Sequence, residues 1–292
     1  MTELPNQAMD HPAAWRGEDL AVVPDRWTYD LSMEQIAEIE SAAVSKLARD
    51  GEPRVDRAND FPLPETGPAL ADWRLQLTDG LGFVLVRGLP VERWDIRTVA
   101  TVFCGLGAHL GRARSQNARG HILGHVTDVG ADLSDPTVRI YQTQRRQTFH
   151  TDSVDVVGLL CIREAMEGGD SLLVSTLTLS NEMRHRYPDL WPLLFRRVAT
   201  DRRGEVPQGM DPWFEIPVLS WHEGFLTGLY QRQYIDSAAR LVALGAPALS
   251  EGHRAALDAW DALTNDPALH LTMRLRPGDM QFVYNHHMLH DR

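Results

Sequence analysis

A chain of 292 residues, 43% hydrophobic and 24% charged, has the make-up of a soluble globular protein, and one domain around one sizeable core is expected. Its 29 basic against 40 acidic residues leave a net charge of −11, a field that repels phosphate backbones and anionic lipid, so neither nucleic acid nor a membrane is expected as partner. The N-terminus has no basic start or apolar run, no stretch approaches the ~20 apolar residues of a membrane span, and Cys104 and Cys161 sit in apolar stretches suited to reduced core thiols; a cytoplasmic protein without disulfides or a thiolate metal site is expected.

Residues 1–31 carry scattered Pro and Trp without a period and read as an irregular arm laid over the domain. Ser32 then stands as a helix N-cap with Gln35 at capping-box spacing, and Ile36, Ile39, Ala43 and Leu47 form an apolar stripe that stops at Gly51. A Pro- and Asp-rich loop at 52–68 leads to a second helical stretch at 69–79, closed by Gly80. GlyPheValLeuValArgGlyLeuPro at 82–90 predicts a buried strand, and 97–110 another helix.

From 121 onward the texture changes to short strand-like runs at 121–126, 138–143, 154–162, 171–176, 214–219 and 224–230. Helical stretches interrupt near 178–195 and 235–265, and two last strands, 269–275 and 279–290, are joined by ArgProGlyAsp. There is no internal repeat and no regular strand–helix alternation, which excludes solenoids and doubly wound sheets. Many short strands with helices gathered at the N-terminal end and in one insert predict a mainly β fold, a sandwich or jelly roll with flanking helices. Within a single domain overall, 1–81 is expected as arm and helices packed on the core, and 82–292 as the jelly roll.

GlnThrPheHisThrAsp at 147–152 sets an imidazole and a carboxylate two residues apart, and in an extended strand such residues share a face and can grip one ion. The spacing alone more readily suits a loop in which the aspartate caps a turn. A third nitrogen ligand has candidates in TyrAsnHisHisMetLeuHis at 284–290. Two histidines and one carboxylate leave three positions open on a metal, the arrangement of iron(II) oxygenases, whereas structural zinc sites close all four.

Three blocks in order carry a resemblance: GlyPheValLeuValArgGlyLeu at 82–89, PheHisThrAsp at 149–152 with LeuLeuCysIleArgGluAlaMetGluGlyGlyAspSerLeu at 159–172, and LeuArgProGlyAspMetGlnPheValTyrAsnHisHisMetLeuHisAspArg at 275–292. From about residue 82 to the end the chain resembles the taurine/2,4-D dioxygenases, the TauD/TfdA-like Fe(II)/2-oxoglutarate-dependent oxygenases, near their γ-butyrobetaine hydroxylase branch. The resemblance implies a double-stranded β-helix of the clavaminate synthase-like kind. It implies His150, Asp152 and His290 as iron ligands, and the last block as a hairpin delivering His290. Ser171 falls on a hydroxyl that touches 2-oxoglutarate, although a hydroxyl after GlyGlyAsp is also ordinary turn chemistry. The implied reaction oxidises a small-molecule substrate with O2, giving succinate and carbon dioxide from the co-substrate; the carboxylate of Asp152 favours hydroxylation, desaturation or demethylation over halogenation. A homo-oligomer is compatible with the resemblance, with no interface to name.

One departure stands out. The family places an arginine about a dozen residues past the distal histidine to fork onto the far carboxylate of 2-oxoglutarate, whereas the printed chain stops two residues after His290. A truncated sequence is expected, with Arg274, Arg276 and Arg292 as the nearby guanidinium groups. His286 shares parity with His290 along an unbroken strand and would line the pocket, with His287 turned away; neither receives a role. Tyr141, Gln142, Tyr230, Arg232 and Asn285 flank the motif strands as candidates for substrate contact. Two other readings remain: a cupin-like metalloenzyme that does not use 2-oxoglutarate, and a non-catalytic binding protein on this scaffold.

Overall fold

Ser32 starts the first long helix as its chemistry dictates. Its hydroxyl accepts the Gln35 N–H at 3.2 Å, the Gln35 carboxamide accepts the Ser32 N–H at 3.0 Å, and the helix stops at Gly51, which takes the left-handed conformation at φ 67°. The computed structural model describes residues 4–116, 120–130, 140 and 143–292. The N-terminal part carries α1 (Gly17–Ala21), β1 (Thr28–Asp30), α2 (Met33–Asp50), α3 (Gly67–Thr78), β2 (Phe83–Arg87) and α4 (Ile96–Leu110). Next come β3 (Val156–Leu160), β4 (Ser171–Ser175), α5 (Thr176–Arg186), β5 (Val198–Asp201), β6 (Trp213–Ile216), β7 (Leu219–His222) and β8 (Phe225–Gly228). The chain closes with α6 (Arg232–Ser237), α7 (Glu251–Thr264), β9 (His270–Met273), β10 (Met280–Tyr284) and β11 (Met288–Asp291).

Two sheets face each other. One has the order β1-β2-β10-β3 and the other β11-β4-β9, while β5–β6 and β7–β8 are separate hairpins. Because side chains alternate along a strand, β2 and β10 serve two cores. Val84, Val86, Met280 and Phe282 pack outward against Ile39, Trp73 and Val102 of the N-terminal helices. Phe83, Leu85 and Val283 turn inward to meet Leu173, Leu271 and Leu289 of the opposite sheet. This is the expected jelly roll with flanking helices.

The arm is more ordered than its composition predicts. β1 pairs in parallel with β2, and α2 and α3 form the crossover that a parallel pair requires. Trp15 and Trp27 are buried in the core between the sheets and donate their indole N–H groups to the carbonyls of Leu81 and Leu20. Gly17 lets α1 approach β9 closely, since a Cβ there would stand 1.9 Å from the His270 carbonyl oxygen. Isolated aromatic anchors have no period, so pattern reading passes over them.

Other elements differ from expectation. Residues 121–126 form no strand, and 138–143 lies largely outside the described residues. The run 214–219 is divided at Pro217, which has no N–H for a ladder, into the end of β6 and the start of β7. The helical stretches break at Pro188 and at Gly245, whose φ is 104°, into shorter α and 3-10 segments. The strand expected at 279–290 is two strands in different sheets, parted by a turn at Asn285–His287. ArgProGlyAsp carries the chain from β9 in the three-stranded sheet to β10 in the four-stranded one, so the last block is not the simple hairpin its sequence suggests. Among the described residues no helix is long and apolar enough to cross a membrane.

Candidate metal centre

His150 lies outside the regular strands, paired alone with His290 of β11: each backbone N–H donates to the other's carbonyl, at 3.0 and 2.9 Å. This narrow antiparallel pair sets two imidazoles side by side, their rings 4.2 Å apart and nearly perpendicular. Asp152, two residues on, brings its carboxylate to 3.9 Å from His150 Nε2 and 3.5 Å from His290 Nε2. One donor atom from each of the three residues lies within 4.8 Å of the other two, and no other such trio of His, Cys, Asp or Glu occurs among the described residues.

The environment of each donor suits a cation. His150 Nδ1 stands 2.9 Å from the Thr148 carbonyl, which can only accept, so Nδ1 carries the proton and the lone pair is on Nε2, facing the cluster. The Gln147 carboxamide sits 2.7 Å from that nitrogen. His290 is buried with neither ring nitrogen hydrogen-bonded, and burial, with His150 beside it, holds its imidazole well below the ordinary histidine range. A neutral ring with an unmet acceptor costs about 1–3 kcal/mol, which a metal ion at that nitrogen would remove. Asp152 keeps part of its side chain in solvent, so the cluster opens on that side. The residues present fit an ion that takes two nitrogens and one carboxylate and keeps positions free.

The fold holds these donors through their backbone. Thr151, between the two ligand candidates, gives its N–H to Tyr230 O and receives the Tyr230 N–H on its hydroxyl, both at 2.9 Å, while Gln231 bonds its carbonyl. Asn285, in the turn between β10 and β11, accepts the Asp152 N–H and donates to Val154 O. Three of the residues proposed for substrate contact are therefore occupied with scaffold partners. Tyr230 is buried with its hydroxyl on Asp261, Arg232 is ion-paired with Asp236, Asp258 and Asp261, and Asn285 braces Asp152. Tyr141 and Gln142 lie outside the described residues.

Ser171 is buried on β4, two residues from Leu173, which pairs with His290, and its hydroxyl donates to Gln281 of β10 at 2.9 Å. The turn at 285–287 cancels the parity argument for the other histidines: His286 bonds Asp155, and His287 is buried against His11 and Tyr284. Arg274 is on the surface with Glu164 and Arg276 is exposed, which removes both as stand-ins for a buried arginine. Arg292 is partly buried beside Gln147. Gln147, Thr151 and Thr148 escaped the sequence reading of roles; only their place in and next to HisThrAsp could have flagged them. Cys104 and Cys161 are free thiols, half-buried rather than fully in the core.

The chain is similar to known proteins in sequence and in fold. The FR-33289 synthase of Streptomyces rubellomurinus is 32% identical over 270 residues, covering 91% of this chain and 78% of that protein. A crystal structure of an asparagine oxygenase in complex with Fe(II), 3-hydroxyasparagine and succinate superimposes with a TM-score of 0.68 at 18% identity, covering 91% of this chain and 87% of that one. The non-heme iron oxygenase OrfP in complex with Fe and alpha-ketoglutaric acid does so with a TM-score of 0.65 at 14% identity, covering 91% and 87%. Residues 44–292 match the family described as taurine catabolism dioxygenase TauD, TfdA family, and the chain belongs to that family.

Proposed function

We propose that the protein is an Fe(II)- and 2-oxoglutarate-dependent dioxygenase that oxidises a small organic molecule, with His150, Asp152 and His290 as its metal ligands. The observation that carries this is the convergence of those three side chains, with both His290 ring nitrogens buried and without a hydrogen-bond partner. Family membership supports it, as do two solved proteins of like fold that hold iron with succinate or 2-oxoglutarate. Bound ferrous iron would supply oxygen activation, coupled to decarboxylation of 2-oxoglutarate to succinate and carbon dioxide.

This chain's own part is to hold and to shield. The Thr148 carbonyl keeps the His150 lone pair on Nε2, Asn285 and Thr151 fix the segment that carries Asp152, and Phe149 and Leu289 bury the backbone behind the ligands. Ser171 is proposed to meet the co-substrate; its hydroxyl is fixed by Gln281 on the face of β4 that neighbours His290. Two free thiols suit a reducing compartment, and the cytoplasm is the proposed location.

Succinate release tests the reading. The protein with Fe(II), 2-oxoglutarate, air and a panel of small amino acids, sulfonates and phosphate esters should yield succinate. The yield should depend on iron and fall to background in Asp152→Ala. Succinate that never forms with iron present, or that forms equally in Asp152→Ala, overturns the proposal.

A further inference from the structure

The chain segments carrying the two histidines are joined by very little regular structure. Besides the His150–His290 pair, the backbone link is Gln147 with Arg292, at 3.0 and 3.3 Å. A slip of one residue in such a short pairing would turn His150 to the opposite face and scatter the donors. Side chains next to the ligands guard against this. Asp291 directly follows His290, and its carboxylate has no exposed surface. Arg146, four residues before His150, places Nε 3.0 Å from both Asp291 oxygens and Nη2 2.6 Å from Oδ2. The same Nη2 donates to Asn265 at the end of α7 at 2.9 Å, and the guanidinium lies 6.0 Å from the centre of the Phe149 ring.

We propose that the Arg146–Asp291 ion pair is a positioning device for the metal centre, fixing the register between the two histidine-bearing segments and thereby setting the affinity for iron. The proposal rests on the metal-ligand reading of His150 and His290. Arg146 touches neither ligand ring; it acts through the backbone that presents them. The planar fork matters as well as the charge, because two parallel hydrogen bonds to a carboxylate define an orientation that a point charge does not.

The molecule contains a matched control. Arg240 meets the equally buried carboxylate of Asp201 with two bonds of 2.9 Å, in a part of the fold that holds none of the three ligand candidates. Anaerobic Fe(II) titration in the presence of 2-oxoglutarate, followed by the visible charge-transfer band, compares wild type with Arg146→Gln, Arg146→Lys, Asp291→Asn and Arg240→Gln. Arg146→Gln should raise the Kd for iron about 10- to 100-fold, as loss of an outer-sphere support does at other metal sites. Arg146→Lys should recover part of the affinity, and Arg240→Gln should leave the Kd unchanged even though it breaks a comparable pair. Asp291→Asn strands no buried charge, so it keeps the test open if Arg146→Gln does not fold, and it should also weaken iron. An unchanged Kd in Arg146→Gln or Asp291→Asn, or an equal loss in Arg240→Gln, overturns the clamp. Wild type that binds no iron overturns the metal centre itself and the clamp with it.

Discussion

Burial separates the three histidines of the segment 284–290. His286 reaches Asp155 at the surface, His290 is enclosed without hydrogen-bond partners in the trio of candidate ligands, and His287 is enclosed away from it, its ring 5.1 Å from those of both His11 and Tyr284. Burial, reinforced by His11 and His286 and opposed by Asp79, holds His287 down at about 4. In the unfolded chain it titrates near ~6.5, so between these values the unfolded state takes up a proton that the folded state refuses. Its contribution is therefore complete above the unfolded value and is lost as pH falls toward 4. His287→Phe should flatten this part of the profile. Urea unfolding at pH 7.5 and pH 5 should show wild type losing about 2 kcal/mol more than the variant over the interval, and equal losses would contradict the assignment. The sequence offered His150 and Asp152 through a spacing of two, but it could not choose among His286, His287 and His290 by parity. The turn at Asn285–His287 interrupts the strand on which parity depends, and only likeness to a family singled out His290.

At the scale of elements, legibility followed periodicity. α2, α3, α4, β2, β3 and β4 stand within a few residues of where their caps and apolar runs predict, because those signals are local. Which sheet a strand joins is not local, and this is where the reading failed: β9, β10 and β11 are consecutive yet alternate between the two sheets. Gly278 makes the first of these transfers possible. It has φ 89°, and a Cβ there would stand 2.0 Å from the Leu89 carbonyl oxygen. Gly278→Ala should cost roughly 1–3 kcal/mol from backbone conformation alone, with the collision adding to it. A urea titration should report a lower midpoint at an unchanged slope; an unmoved midpoint would mean that the turn relaxes freely.

For the whole molecule, the proposed metal centre is the convergence point of distant parts of the chain. His150 and Asp152 belong to the middle, His290 to the last strand, Tyr230 and Gln231 brace the HisThrAsp segment, and Asn265, just past the end of α7, accepts from Arg146. An ion that closes the trio therefore ties the folded state together, and no comparable site exists in the unfolded chain. At a hundredfold excess over its Kd such an ion stabilises by about 2.7 kcal/mol, which for a chain of this size corresponds to a rise in unfolding midpoint of roughly 4–5 °C. Anaerobic thermal unfolding with and without Fe(II) is the most direct test. Wild type should gain that increment, and His150→Ala and His290→Ala should not. An unmoved wild-type midpoint, or the same gain in both variants, would contradict a metal centre at His150, Asp152 and His290.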